Sequence, residues 1–306
     1  MAHYLDPKND LTFKRVFGEH KHLCMSLINS MLPLEEPVVE IEYNTNELIP
    51  ELTQTLRNTV VDVRCTAKDG RQFIVEMQMY WTDSFKSRVL FNASKVYVRQ
   101  FDKNQNFKLL KPVYALNFVN EKFEKSPEMK DKYFHHYKIV NIDHTEKQIE
   151  GLEFLFVELP KFKPQNRAEK KLHELWLRFL TEINENTTEI SQDLLENELT
   201  REAVKYMETA AYTKEQLEAY DRWNLVIATE HSVISDAKDE GLTKGRAEGE
   251  AIGLEKGEAI GLEKGKIEGR IEGRIEVAKS LSKMGIPLAQ IMKATGLSEN
   301  EINQIK

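Results

Sequence analysis

The chain has 306 residues, room for one sizeable domain with extensions, and its 41% hydrophobic and 30% charged content argues for a real core and against wholesale disorder. A net charge of −7 excludes a molecule drawn to nucleic acid by its overall field, so any contact with DNA has to come from a local cluster of cations. Residues 1–17 are too charged for a secretory signal and no run reaches the roughly 18 apolar residues of a bilayer span, so the expectation is a soluble, cytoplasmic protein without membrane contact.

From Asp10 to Met31, Leu11, Phe13, Phe17, Leu23, Leu27 and Ile28 follow a largely helical spacing that is interrupted at Gly18 and stopped by Pro33. This predicts one broken helix or two short ones. Thr59 to Ala67 and Gln72 to Met79 are β-rich runs joined across Lys68-Asp69-Gly70-Arg71, where Asp-Gly is a strong hairpin signal. Cys65 alternates with Val61 and Val63 in the first run, which suggests a buried thiol rather than a disulfide or a metal ligand. Thr82 to Gln100 reads as a helix capped by Thr82 or Asp83, with Phe85, Val89, Ala93 and Val96 on its inner face. Further strands are predicted at Pro112 to Val119, Tyr137 to Ile142 and Leu152 to Leu159, and Pro160 and Pro164 close the sheet-forming part.

Beyond that boundary the pattern turns helical, with Leu172, Leu175, Trp176 and Phe179 forming a stripe suited to packing on the core. The chain thus divides into a core over 1–165, an accessory helical region over 166–235, a glycine-every-four repeat over 236–276 and a small helical hairpin over 277–306. In the repeat, glycine recurs every four residues from Gly241 to Gly273, and Glu250 to Gly257 is repeated unchanged as Glu258 to Gly265. Four residues turn an ideal helix by about 400°, so the glycine stripe drifts about 40° per repeat. Each interior glycine costs roughly 0.5 to 1 kcal/mol against alanine. Two readings follow: a homo-oligomer in which helices approach closely through the stripe, or a marginal linker helix. In the terminal hairpin the turn is Thr295-Gly296-Leu297 and the last helix begins at Ser298 with Glu301 in capping-box position. Glu299 and Glu301 in its first turns suit packing or partner binding better than DNA reading.

Metal-assisted phosphodiester cleavage needs carboxylates that hold a divalent ion beside the scissile phosphate. Along Val60 to Cys65, Asp62 and Arg64 share the face opposite Val61 and Val63, and along Phe73 to Met79, Ile74, Glu76 and Gln78 share a face. A carboxylate inside each apolar strand is costly without a purpose. Whether they meet depends on the turn. A two-residue Asp69-Gly70 turn sets Asp62 against Met77 and separates the acids, whereas a three-residue Lys68-Asp69-Gly70 loop with Gly70 left-handed pairs Ala67 with Arg71 and sets Asp62 against Glu76. The longer loop is the prediction. Adjacent His135 and His136 fall on opposite faces of an extended segment, no Cys/His spacing suggests zinc, and no Walker-type loop or nucleophile elbow is present.

The strand Val60-Val61-Asp62-Val63-Arg64, the Asp-Gly turn, Ile74-Val75-Glu76-Met77-Gln78-Met79 and the helix after it resemble the PD-(D/E)XK nuclease superfamily. The opening Asp10 to Gly18, the helix with Arg88 and Tyr97 and the glycine-spaced tail are similar to a narrower group, the recombination-promoting nuclease (Rpn) family, also described as PD-(D/E)XK nuclease family transposases. The likeness covers residues 1 to 165 well and the tail loosely. It implies an α/β, restriction-endonuclease-like core, a mixed sheet flanked by helices, followed by an α-helical C-terminal extension. It also implies Mg²⁺-dependent endonucleolytic cutting of DNA, linked to recombination, mobile elements or defence.

By this resemblance Asp62 and Glu76 are the metal ligands and Gln78 positions water from the place where the motif usually has lysine. Glutamine can orient water but cannot supply an ammonium charge. Arg88, Lys95 and Arg99 fall near one face of the following helix, and Arg88 or Lys95 is the candidate for the missing cation or a phosphate contact; the competing reading is a solvated basic face. Asp10 is a further candidate metal ligand, although capping preference favours it as the N-cap of a helix starting at Leu11. Two rival functions are a DNA-binding protein that keeps the fold but not turnover, and a scaffold organised by the tail.

Overall fold

The computed structural model describes residues 3–44, 62–101, 106–164 and 171–304. Asn9, not Asp10, caps the first helix: its side-chain oxygen accepts the Leu11 N–H at 2.9 Å ahead of α1 (Asp10–Phe13). Asp10 instead lies within the helix and pairs with Lys14 at 2.6 Å, one turn on. The expected break is a π-helical turn, Lys14–Gly18, before α2 (Lys21–Met31).

The short strand β1 (Ile41–Tyr43) precedes β2 (Val63–Ala67) and β3 (Gln72–Gln78). Residues Thr59 to Val61 of the expected strand lie outside the described residues. The Ala67 N–H donates to the Arg71 carbonyl at 2.8 Å and Gly70 has φ of 91°, so the connection is the three-residue loop with a left-handed glycine. The ladder then runs from Thr66↔Gln72 to Val63↔Val75, a register that, carried one residue beyond the strand, would set Asp62 against Glu76.

Helix α3 (Phe85–Val98) follows, and neither Thr82 nor Asp83 caps it as expected. Ser84 holds the cap position without a side-chain bond, while the Thr82 carbonyl accepts the Phe85 N–H at 2.9 Å. Strands β4 (Val113–Val119), β5 (Phe134–Val140) and β6 (Gln148–Glu158) complete a six-stranded mixed sheet of order β1-β2-β3-β4-β6-β5, in which β3, β4 and β6 are parallel.

The parallel strands are covered on both faces, which is why they read as near-continuous apolar runs. On one face Val63, Phe73, Val75, Leu116, Phe118 and Val157 pack against Phe13, Phe17, Leu27 and Trp176. On the other, Ile74, Ala115, Val119 and Phe156 pack beneath Phe85, Val89, Ala93 and Val96 of α3. Cys24 and Cys65 are free thiols buried in the first of these layers.

Helices α4 (Leu172–Glu182), α5 (Gln192–Glu196) and α6 (Glu198–Lys205) share that first core through Trp176, Phe179, Leu194 and Ala203. The long helix α7 (Lys214–Lys283) starts against the N-terminus, where the Asn9 amide donates to Asn224 Oδ1 at 3.0 Å and the Tyr220 hydroxyl accepts the Asp6 N–H at 2.9 Å. Two compact units result, Met1–His231 and Ser232–Lys306. Among the described residues, no helix is long and apolar enough to cross a membrane.

In the second unit the end of α7 packs with α8 (Leu288–Thr295) and α9 (Glu299–Gln304) around Ala278, Ile291, Leu297 and Ile302. Gly296 ends α8 at φ of 69°, and Ser298 and Glu301 form the capping box. A Cβ placed at any of the nine repeat glycines would meet nothing within 4 Å. Alanine at Gly253, Gly257 and Gly261 should therefore add roughly 0.5 to 1 kcal/mol of helix stability per site, seen as stronger helical circular dichroism. A drop in helicity or in sedimenting mass would instead show the stripe held against another helix.

Candidate active site

Glu76 of β3, Asn117 of β4 and Asn92 of α3 interrupt the apolar packing between α3 and the sheet. Asp62 ends the hairpin's first arm, and its Oδ2 accepts the Met77 N–H at 2.6 Å, which ties it to the strand that carries Glu76. Glu76 is only 6% exposed, and its Oε1 accepts from the Asn92 amide of α3 at 3.3 Å. Across the parallel ladder its neighbour is Asn117, fully buried, whose amide donates to the Ala115 and Leu155 carbonyls at 3.0 Å each.

Burial raises both carboxyls well above the ordinary range. Asp62 is pushed up to about 6 by loss of water, with Asp10 adding to the rise and the Met77 N–H, Lys14 and Arg88 opposing it. Glu76 is pushed up to about 7 by burial and then by the charge of Asp62, against the pull of Arg88 and Asn92. The rise at Glu76 thus depends in part on the charge of Asp62.

Gln78 has both ends of its amide engaged: Nε2 donates to the Tyr80 carbonyl at 2.7 Å and Oε1 accepts from the Arg88 guanidinium. The structure thus brings Arg88 to the acid pair, whereas Lys95 lies with its ammonium 3.9 Å from the Phe91 ring centre. Asp10 and Lys14, on the first helix and the turn after it, are close enough for their charges to act on Asp62.

Sequence reasoning missed Lys14, Asn92 and Asn117. Signals were present for each: Lys14 lies one turn from Asp10, Asn92 continues the Phe85, Val89, Val96 face, and Asn117 is a lone amide inside an apolar strand.

The donor set can be tested against a divalent ion. Three buried side-chain atoms among the described residues lack a hydrogen-bond partner, and two are the amide oxygens of Asn92 and Asn117, the residues beside Glu76. The pocket is therefore rich in oxygen acceptors and short of donors, and its two carboxylates repel one another. Among the described residues, no group of three or more His, Cys, Asp or Glu side chains is arranged to hold a metal. Two carboxylates suit Mg²⁺, which is commonly held by one or two together with water and substrate phosphate oxygens. The residues present fit such an ion.

Searches of curated proteins and of solved structures returned no match. A family model described as PD-(D/E)XK nuclease family transposase matches residues 7–237, a span that holds the whole sheet, α3 and the acid pair and supports a nuclease-type function. With well over half of its length matched, the chain belongs to the PD-(D/E)XK nuclease family transposases.

Proposed function

We propose that the protein is a divalent-metal-dependent DNA endonuclease whose centre is the Asp62–Glu76 pair. The observation that carries this reading is the pairing of two buried carboxylates of raised pKa across a hairpin whose loop length sets their register. A Mg²⁺ bound there would act as a Lewis acid and offset charge that develops on the phosphate. Asp62 and Glu76 would hold it, and Asp10, paired with Lys14, is placed to contribute to the same field.

Gln78 acts through Arg88. Its carbonyl oxygen tethers the guanidinium beside the acids, so the cation that the motif usually carries on β3 is delivered from α3 instead. Guanidinium is always charged and presents a planar fork of donors, which suits a phosphate better than a glutamine amide does. Arg88 would steady the phosphate while the carboxylates orient the attacking water. A role in recombination or in mobile elements is the biological reading that accords with the family.

The test is incubation of the purified protein with supercoiled plasmid, with and without Mg²⁺. Nicked or linear product that depends on metal is expected. Retarded but uncut plasmid would favour a binding protein that keeps the fold without turnover.

A further inference from the structure

We propose that Trp81 and Phe123 form a stacking platform for an unpaired nucleobase of the DNA strand beside the cleaved phosphate; this rests on the nuclease reading of the acid pair. Their rings stack with centroids 4.0 Å apart and planes 15° apart, and both side chains are half-buried rather than enclosed. Tyr137, 40% exposed, borders the same surface, and the Lys86 ammonium lies 5.6, 5.2 and 5.4 Å from the Trp81, Phe123 and Tyr137 ring centres. The platform is continuous with the site. Trp81 meets the Phe85 ring at 5.5 Å, Arg88 lies 4.9 Å from that ring, and Arg88 donates to Gln78.

The way Phe123 is held argues for a purpose beyond packing. It sits in the connection between β4 and β5, which is anchored by polar side chains buried beneath it. Glu158, with no exposed surface, accepts the Phe123 N–H at 2.9 Å and the Glu124 N–H at 3.4 Å, and pairs with His135 and Lys161 at 2.7 Å each. Lys161 also donates to the carbonyls of Glu124 at 2.7 Å and Met129 at 3.0 Å, and Glu121 accepts the Trp81 N–H at 2.7 Å. A buried ion pair adds little net stability over an apolar replacement. What this one does is fix the backbone that carries the half-buried Phe123 ring.

The ligand follows from the chemistry of the surroundings. Glu121, which accepts the Trp81 N–H, and Glu124, next in sequence to Phe123, make the neighbourhood unfavourable for a phosphate on the rings, whereas a base offers a neutral π-face. Lys86 is placed to meet the adjoining phosphate. A base within an intact duplex cannot reach the rings, so the platform selects single strands, flaps or frayed ends.

The test is metal-free binding by the full-length protein, in EDTA, of a fluorescein-labelled oligonucleotide as a single strand, as a blunt duplex, and as single strands with one abasic position moved along the sequence. Anisotropy should show tighter binding of the single strand. The abasic scan should show a loss of roughly 5- to 150-fold confined to one or two positions, the scale of base stacking on an aromatic ring. Trp81→Ala should lose affinity comparably and Trp81→Phe should retain most of it. The scan needs no variant, so a poorly folded Trp81→Ala does not blunt it. Equal affinities with a flat scan, or no binding of single strands, would overturn the platform even if plasmid is cut. A position-specific loss in a protein that never cuts plasmid would keep the platform and remove the nuclease reading.

Discussion

Asp62→Ala should lower metal-dependent plasmid cleavage by about a thousandfold or more, the scale of several kcal/mol of lost charge stabilisation at the phosphate. The fold should survive, because the substitution removes a buried carboxylate whose charge raises the pKa of its neighbour Glu76. Glu76→Gln is the sharper companion. It keeps the shape and the contact with Asn92 while removing the charge, so a similar loss would assign the effect to the pair's negative charge. Undiminished Mg²⁺-dependent cutting by either variant, with normal circular dichroism, would move the centre elsewhere.

The same pair should make the metal-free protein less stable as pH rises. In the unfolded chain the two carboxyls lose their protons near 3.8 and 4.5, but in the folded protein only near about 6 and about 7. Between those limits the folded state binds more protons than the unfolded state, so unfolding free energy falls with increasing pH and levels off above about 7. Shifts of about two units amount to roughly 3 kcal/mol for each group. The pair's contribution to stability in EDTA should therefore be full below about pH 4 and lost by about pH 7. Asp62→Asn, whose amide oxygen can still accept the Met77 N–H, should melt above wild type at pH 8, with the difference closing as the pH is lowered. Mg²⁺ should raise wild-type melting at pH 8, because binding to the folded state stabilises it. Stability that rises from pH 5 to pH 8, with no gain in Asp62→Asn, would show that the acids are not buried as a pair.

Much of the fold is legible in period alone. Alternation marks β2, and β3 and the later parallel strands appear as apolar runs, with Glu76 and Asn117 as polar intrusions beneath α3. Three-residue β1 is too short to show a period and is found only through its pairing of Ile41 with Ala67. Asn9 and Asp10 are both good caps side by side, so propensity could not choose between them; the Asn9 amide's second contact, with Asn224, is a tertiary event. The anchor under Phe123 is hidden for the same reason. Glu158 reads as the polar end of a strand, and its meaning depends on His135 across the ladder and Lys161 in the next turn. Of the site, the acids and Gln78 lie within a few residues of a recognisable turn, whereas the choice of Arg88 over Lys95 depends on where α3 crosses the sheet.

The Lys68-Asp69-Gly70 loop also has a consequence for how this gene can change. Exposed hairpin turns generally tolerate insertions and deletions. Here the loop fixes a parity. Removing one residue while keeping the strands paired would turn Glu76 to the opposite surface and bring Val75 or Met77 into its place, since side chains alternate with a period of two. Substitutions in the loop that respect the left-handed glycine would leave the chemistry in place, whereas a single in-frame codon lost or gained there would silence it without touching either acid.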